Sequence, residues 1–311
     1  AAEDAIHKLA RAAEREEMLA GLYVAYAQEQ NAGLTRQVEC WSKAARVYDE
    51  YLDDPKQALE ASLRMFATDL DNPEYLDQVN RLAIKAKAWD RLAQVYNRLL
   101  RKAESPEENV ELLNRYADIL DQEAEETSGA LDYVLRACAL DPKNEQLLAR
   151  VEDLGVRASR CEEVLLVYDH RLAGCENTTE QIELLLRAAK LSDEALKDRE
   201  RTYTYIKQAL ALTEASSESY QNIEDAVRQL DAGSGKQGDQ EARRFFVRAH
   251  REIAERARPE FGARLMINAA RVLREELEEE EGVFDVLRQG TRLLPTNSHL
   301  QDELEELARR V

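Results

Sequence analysis

Proline and glycine are scarce in this chain, at 6 and 11 of 311 residues, and aromatic residues make up only 6%. Alanine, leucine, glutamate and arginine fill their place, the composition of an all-helical protein. No apolar run approaches the roughly 20 residues that a membrane-spanning helix requires, so direct membrane insertion is not expected. Positive charge is in deficit: 43 Lys and Arg stand against 62 Asp and Glu, a net charge of −19. Such a surface repels nucleic acid and anionic lipid, which makes both poor partners. The four cysteines, Cys40, Cys138, Cys161 and Cys175, show no C-x-x-C spacing and no neighbouring histidine. They read as reduced thiols of a cytoplasmic protein, not as a disulfide framework or a metal site. The chain opens Ala1-Ala2-Glu3 without a methionine or a visible secretory signal, so it is expected to be a segment of a longer protein. A signal upstream of Ala1 would make the location periplasmic.

What the sequence has in abundance is repetition. Ala45, Ala117 and Ala189 lie 72 residues apart, as do Leu82 and Leu154, and Tyr96 and Tyr168. Each 72-residue unit divides again through an i, i+3, i+4, i+7 pattern that marks one helix face. The pattern occurs at Ile6-Leu9-Ala10-Ala13, Trp41-Ala44-Ala45-Tyr48, Val79-Leu82-Ala83-Ala86 and Leu113-Tyr116-Ala117-Leu120. It recurs with anchors at Val151, Leu185, Ile223, Met266 and Leu304, at successive intervals of 35, 38, 34, 38, 34, 38, 43 and 38. The i+4 residue is Ala or Gly in eight of nine cases, which lets a neighbouring helix approach closely. A second helix follows each of the first eight with a four-then-three apolar step, as in Leu19-Tyr23-Tyr26, Leu92-Tyr96-Leu99, Ala130-Val134-Ala137 and Val283-Leu287-Gly290. All six prolines are predicted to stand just inside helix starts, where a missing N–H costs nothing.

These residues carry a resemblance. Trp41-Ala44-Ala45-Tyr48 resembles the first helix of the tetratricopeptide repeat, and Ala130-Val134-Ala137 with Pro142 resembles its second helix and terminal proline. The pattern departs from the family in its 38-residue units and in Ser62, which stands where the second helix has a large residue. The resemblance implies an all-α fold: a right-handed superhelical solenoid of about eight helix hairpins plus a C-terminal capping helix, continuous over 1–311. It also implies that first helices line a concave groove and second helices face outward. One hairpin cannot bury both of its apolar stripes, whereas stacked neighbours can.

The stretch 231–239, DAGSGKQGD, resembles the tail of a phosphate-binding loop. The required first glycine position holds Leu230, Gln237 replaces the hydroxyl that would hold Mg²⁺, and a helix precedes the stretch instead of a strand. It coincides with the 43-residue interval, nine residues more than the 34 expected there. Residues 231–241 are therefore read as a flexible inserted loop between two helices, and no cofactor is expected.

His7, His170, His250 and His299 lie on different hairpins without ligand spacing, and no nucleophile motif appears. They are read as surface or groove residues. Tyr203 and Tyr205 alternate on one helix, so at least one is expected to be exposed. The acidic run 274–282, REELEEEEG, is read as a solvated tip near the end of a long helix. The same resemblance implies that positions two and five after each first-helix anchor border the groove. They include Lys8, Arg11, Lys43, Arg46, Arg81, Arg115, Arg187, Lys190, Arg228 and Arg271, ten basic residues among sixteen positions with three acidic ones. One reading is a groove suited to an acidic or C-terminal peptide; the other is i, i+4 pairing of these bases with glutamates on the same helices.

Function is thus expected to be non-catalytic protein binding, as a scaffold or adaptor of the kind that similar arrays supply in bacterial motility, secretion and envelope assemblies. Two alternatives stand beside it. One is a structural spacer in a larger repeat protein, and the other a helical enzyme or lipid carrier using the superhelix cavity.

Overall fold

A computed structural model describes Ala10, Ala12 and residues 14–29, 33–214, 219–232 and 240–310. Sixteen helices occupy these residues, without a strand among them. The chain divides into two compact units, Ala1–Leu154 and Gly155–Val311. The first contains α1 (Glu16–Gln28), α2 (Leu34–Glu50), α3 (Pro55–Phe66), α4 (Pro73–Ala86), α5 (Trp89–Lys102), α6 (Pro106–Gln122), α7 (Thr127–Leu140) and most of α8 (Glu145–Arg157). The second contains α9 (Cys161–Ala173), α10 (Thr178–Leu191), α11 (Arg199–Leu212), α12 (Tyr220–Ala232), α13 (Glu241–Ala254), α14 (Pro259–Glu275), α15 (Glu280–Leu293) and α16 (Ser298–Arg310). Even-numbered helices carry the anchors from Trp41 to Leu304, and odd-numbered helices carry the second pattern. Ile6 to Leu9 lie outside the described residues.

Local chemistry sets the helix starts. Asp54, Asn72, Ser105, Asn177 and Asp198 each accept a hydrogen bond from a backbone N–H of the following turn, which satisfies donors that have no partner inside the helix. Pro55, Pro73, Pro106 and Pro259 take the first helical position as predicted. Pro142 and Pro295 do not: both sit in turns, each three residues before the next helix begins. There the fixed φ of proline shapes the connection between hairpins rather than a helix end.

The small residue of the anchor pattern is buried in six repeats, whereas Ala10 is half-buried and Ala308 exposed. Ala45, Ala83, Ala117, Gly155, Ala189 and Ala270 are all in the core. Gly155 shows why size matters. A Cβ added there would stand 2.2 Å from Cγ2 of the buried Val164 on α9.

The alternating 34 and 38 intervals have a geometric cause. Seven described hairpin turns each hold one non-glycine residue with positive φ: Glu14, Asp53, Lys87, Glu125, Ser159, Lys197 and Glu278. This residue follows its anchor by twelve positions in α2, α6, α10 and α14 but by eight in α4 and α8. Four residues make about one helical turn, so the overlong units carry one extra turn without rotating the apolar face. The following N–H then closes the helix. Asp54, Glu126, Asp198 and Glu279 donate to the carbonyls of Tyr48, Leu120, Ser192 and Leu273, at 2.8 to 3.0 Å. In the short form Ala88 and Arg160 donate to Ala83 and Gly155, at 2.9 and 2.8 Å. In α10 part of the extra turn is π-helical, Ser192–Leu196.

Two further expectations change here. Neither Tyr203 nor Tyr205 is exposed: Tyr203 stacks on Phe245 with ring centroids 4.1 Å apart, and Tyr205 is buried. Stacking between successive second helices covers the side of α11 that the period alone leaves open. The acidic run 274–282 is not the tip of one helix. It holds the end of α14, a turn containing buried Leu277 and the positive-φ Glu278, and the start of α15. Glu280 and Glu281 fall in the first turn of α15, where the helix dipole favours them.

Candidate partner-binding face

The first helices present their charged positions in ladders. In the first unit Arg81 of α4 reaches back to Asp49 of α2 at 2.7 Å, and Lys85 bonds the same carboxylate at 3.0 Å. Partial burial pushes the Asp49 carboxyl up, but the bonds from Lys85 and Arg81 outweigh it and hold the group below its usual range. Arg115 of α6 pairs with Asp77 of α4. Arg150 of α8 bonds Asn114 and Asp118 of α6 at 2.8 and 2.6 Å. In the second unit Arg271 of α14 meets Glu224 of α12 at 2.5 Å, and Arg274 of α14 meets Glu303 of α16 at 3.0 Å.

The predicted positions therefore fall into distinct environments. Arg46 pairs with Glu50 on its own helix at 2.9 Å, the i, i+4 arrangement. Arg81, Arg115 and Arg271 pair chiefly across to a neighbouring first helix, and Arg228 does both, holding Asp225 at 3.3 Å and Glu276 at 3.1 Å. Arg187 lies over the Tyr168 ring, 5.8 Å from its centroid. Lys43 is half-buried and Lys190 exposed. Lys8 and Arg11 lie outside the described residues, as do Gly233 to Lys236. The flanking helices end at Ala232 and begin at Glu241, so the insert falls between two helices.

A buried polar cluster joins α12, α13 and α14. His250 is fully buried, its Nδ1–H donates to the Phe246 carbonyl at 2.6 Å, and its Nε2 accepts from the Tyr220 hydroxyl at 2.8 Å. A carbonyl can only accept, so the contact fixes the tautomer. Burial pushes the imidazole down to about 4, and burial likewise pushes the Tyr220 phenol up. Glu224 is buried under Arg271, with Arg228 3.6 Å away. Sequence reasoning placed His250 at the surface or groove. Its position is instead the interior of α13, where both ring nitrogens are already used and no substrate could reach them. The thiols of Cys161 and Cys175 are pushed up by burial, away from thiolate.

Open clefts exist beside these groups. One of about 540 Å³ lies between α11, α13 and the start of α14, lined by Lys207, Glu252, Ile253 and Phe261 among others, with Lys207 and Glu252 paired across it. A second of about 260 Å³ is bordered by Asp71, Lys102, Glu108 and Arg115. Both mix the two charge signs. Among the described residues no group of three or more His, Cys, Asp or Glu is arranged to hold a metal ion. Nor is any described helix long and apolar enough to cross a membrane.

No protein-family model matches the sequence, and no curated protein does either. Solved structures with a similar arrangement include Naa15/Naa10 bound to HypK-THB, at 12% identity and a TM-score of 0.35, covering 97% of this chain and 54% of that one. Another is the Cut9–Hcn1 hetero-tetramer of the APC/C, at 13% identity and a TM-score of 0.29, covering 93% of this chain and 52% of that one. A tetratricopeptide repeat protein from Parabacteroides merdae matches at 14% identity and a TM-score of 0.28, covering 87% of this chain and 98% of its own. The chain thus spans about half the length of the first two. Its own geometry defines its type: helix hairpins repeat with a small residue four after the anchor that is buried in six of them, and with a turn conformation shared by seven described turns. Among the described residues it is an all-α array of repeated helix hairpins.

Proposed function

We propose that the chain is a non-catalytic scaffold that binds another protein along its first helices, taking an acidic or C-terminal peptide segment. The observation that supports this reading is the open remainder of the arginines in the ladder. Arg81 and Arg115 are 57% and 37% exposed even though each already holds an aspartate. A guanidinium has five N–H donors, and Asp49 occupies the Nη1 end of Arg81. A partner carboxylate can therefore bond the free edge without breaking the resident pair. Arg46 and Arg81 lie on successive first helices of the same unit, within reach of one extended segment.

The test has two steps. Affinity purification with the chain as bait, followed by mass spectrometry, supplies a partner. That partner is then titrated against Arg46→Glu/Arg81→Glu and, as a control, Glu278→Lys/Glu281→Lys. Contacts this exposed contribute about 0.2–1 kcal/mol each, so the double arginine reversal is expected to weaken binding roughly two- to thirtyfold. Higher salt should weaken it further, because exposed charges are screened beyond about 8 Å at physiological ionic strength. If the glutamate control abolishes binding while the arginine reversal leaves it unchanged, the partner docks elsewhere and the reading fails.

A further inference from the structure

Arg64 of α3, Arg98 of α5 and Arg136 of α7 each stand eleven residues after the positive-φ residue of their own hairpin turn, Asp53, Lys87 and Glu125. A shared turn conformation and a shared count place the three at one level and on one face of successive second helices. All are exposed. Among the described residues Arg64 and Arg98 hold no carboxylate, and Arg136 lies over the Tyr133 ring of its own helix, 5.3 Å from the centroid. Other bases on these helices are engaged: Arg91 bonds Glu60 at 2.9 Å, Lys102 holds Asp71, and Arg101 donates to the Asn97 carbonyl at 3.0 Å.

One exposed arginine is ordinary surface chemistry, but the charge around these three departs from that of the chain. Together α3, α5 and α7 carry seven Lys and Arg against three Asp and Glu, whereas α2, α4 and α6 carry six against ten. The second-helix face is therefore basic in a chain whose net charge is −19. The three helices are also held side by side. The Arg91–Glu60 pair joins α5 to α3, and Tyr116 of α6 contacts both Tyr96 of α5 and Tyr133 of α7, with ring centroids 4.7 Å apart in each case. Packed helices stand about 8–10 Å apart. A polyproline II chain rises about 3.1 Å per residue with three residues per turn, so every third side chain points the same way at intervals of about 9 Å. That period matches the row.

We infer that the second-helix face of α3, α5 and α7 is a docking surface for an extended acidic segment of another protein, lying across the helices with Asp or Glu at every third residue. Charge and spacing together specify the occupant. A guanidinium fork matches a carboxylate, and three forks in a row match a repeat of carboxylates. A short segment feels mainly this local row, because charges are screened beyond about 8 Å at physiological ionic strength. A nucleic-acid duplex or a bilayer would also face the acidic remainder of the chain. Two copies of a chain carrying −19 repel each other, and the first-helix aspartates Asp49, Asp77 and Asp118 already hold arginines of their own ladder. This surface is separate from that ladder.

The probe is a fluorescent peptide of four Glu-Pro-Pro repeats carrying a photoactivatable diazirine, used with the full chain. Fluorescence anisotropy is expected to show binding that weakens with salt, and cross-links should map to α3, α5 and α7. Arg64→Glu/Arg98→Glu/Arg136→Glu should weaken binding about fivefold or more and remove those cross-links. Arg46→Glu/Arg81→Glu should leave the second-helix cross-links in place, which keeps this result separate from the function proposed above. Melting temperatures are followed throughout, and Arg64→Gln/Arg98→Gln/Arg136→Gln replaces the reversal if that variant melts lower. Failure of the peptide to bind, or cross-links confined to the first helices, would overturn the inference. So would equal binding by the triple variant, or by a peptide of the same composition with its glutamates contiguous. Tighter binding of an oligothymidylate or of phosphatidylserine vesicles through the same arginines would assign the face to a phosphate-bearing partner instead. Sedimentation that shows a dimer lost on the triple variant would assign it to a second copy of the chain, and either result would also overturn the inference.

Discussion

Gly155→Ala measures one close helix contact in the second unit. On an ordinary helix this change is favourable by about 0.8–1.0 kcal/mol, because alanine costs less backbone entropy. Here the new Cβ would stand 2.2 Å from Val164 Cγ2, whereas carbon atoms rest at about 3.5–4.0 Å. Val164 is fully buried on α9, and a β-branched residue in a helix has one strongly preferred χ1. It cannot swing away cheaply, so α8 and α9 must part. Overpacking of this kind costs about 1–3 kcal/mol, which leaves a net loss of about 1 kcal/mol after the propensity gain. In a Val164→Ala background the obstructing methyl is gone, and the same change should stabilise by about 1 kcal/mol. The two sites are thus expected to couple by about 2 kcal/mol in a double-mutant cycle read by urea unfolding and circular dichroism. Additivity within about 0.5 kcal/mol would refute the packing argument, as would stabilisation by Gly155→Ala in the wild-type background.

Two other outcomes follow from the same geometry. His250 stays neutral in the folded chain down to about pH 4, while the unfolded chain takes up its proton near pH 6.5. The unfolded state then binds more protons between those values, so stability should fall as pH drops through the window, by about 1.4 kcal/mol per pH unit. His250→Gln should remove that part of the slope, and an unchanged slope between pH 6.5 and 4.5 would show that the imidazole is accessible. Lys87 holds a left-handed conformation, φ 51°, at a strain of about 1–2 kcal/mol, against which glycine adds about 0.5–1 kcal/mol of entropy cost. Lys87→Gly should therefore raise stability by about 0.5–1 kcal/mol, and a loss measured by chemical unfolding would contradict the strain argument.

The hairpins were legible in the sequence because burial of a helix face leaves a period. Ala45, Ala83, Ala117 and Gly155 could be named as close-packing positions before any coordinates, and all are in the core. The turn residues were not legible, because strain leaves no compositional mark. Asp53, Lys87, Glu125, Ser159, Lys197 and Glu278 share one conformation but no side-chain chemistry, so only their distance from the anchor unites them. The opening of α1 was missed for a related reason. Leu19-Tyr23-Tyr26 fits the second-helix step, yet Tyr26 is exposed, and a period says which residues could pack without saying whether a neighbour is there to receive them.

The candidate face was legible only in part. Counting bases at two positions per first helix found the arginines, but their partners obey no fixed register. Asp49 stands eight residues after its anchor, Asp77 two before, Asp118 five after and Glu224 one after. Periodicity cannot predict pairs whose acidic half drifts in this way, and Glu224, which looks like a solvated position, is buried beneath Arg271 of the next first helix. The pairing has a consequence for binding. An acidic partner meets arginines that already hold carboxylates, so each contact is worth only the difference between an added carboxylate and the water it displaces, a small quantity at a half-exposed site. Charge on this face can orient a segment and set its rate of arrival. The larger share of any affinity must then come from apolar contacts that the partner makes beside these arginines.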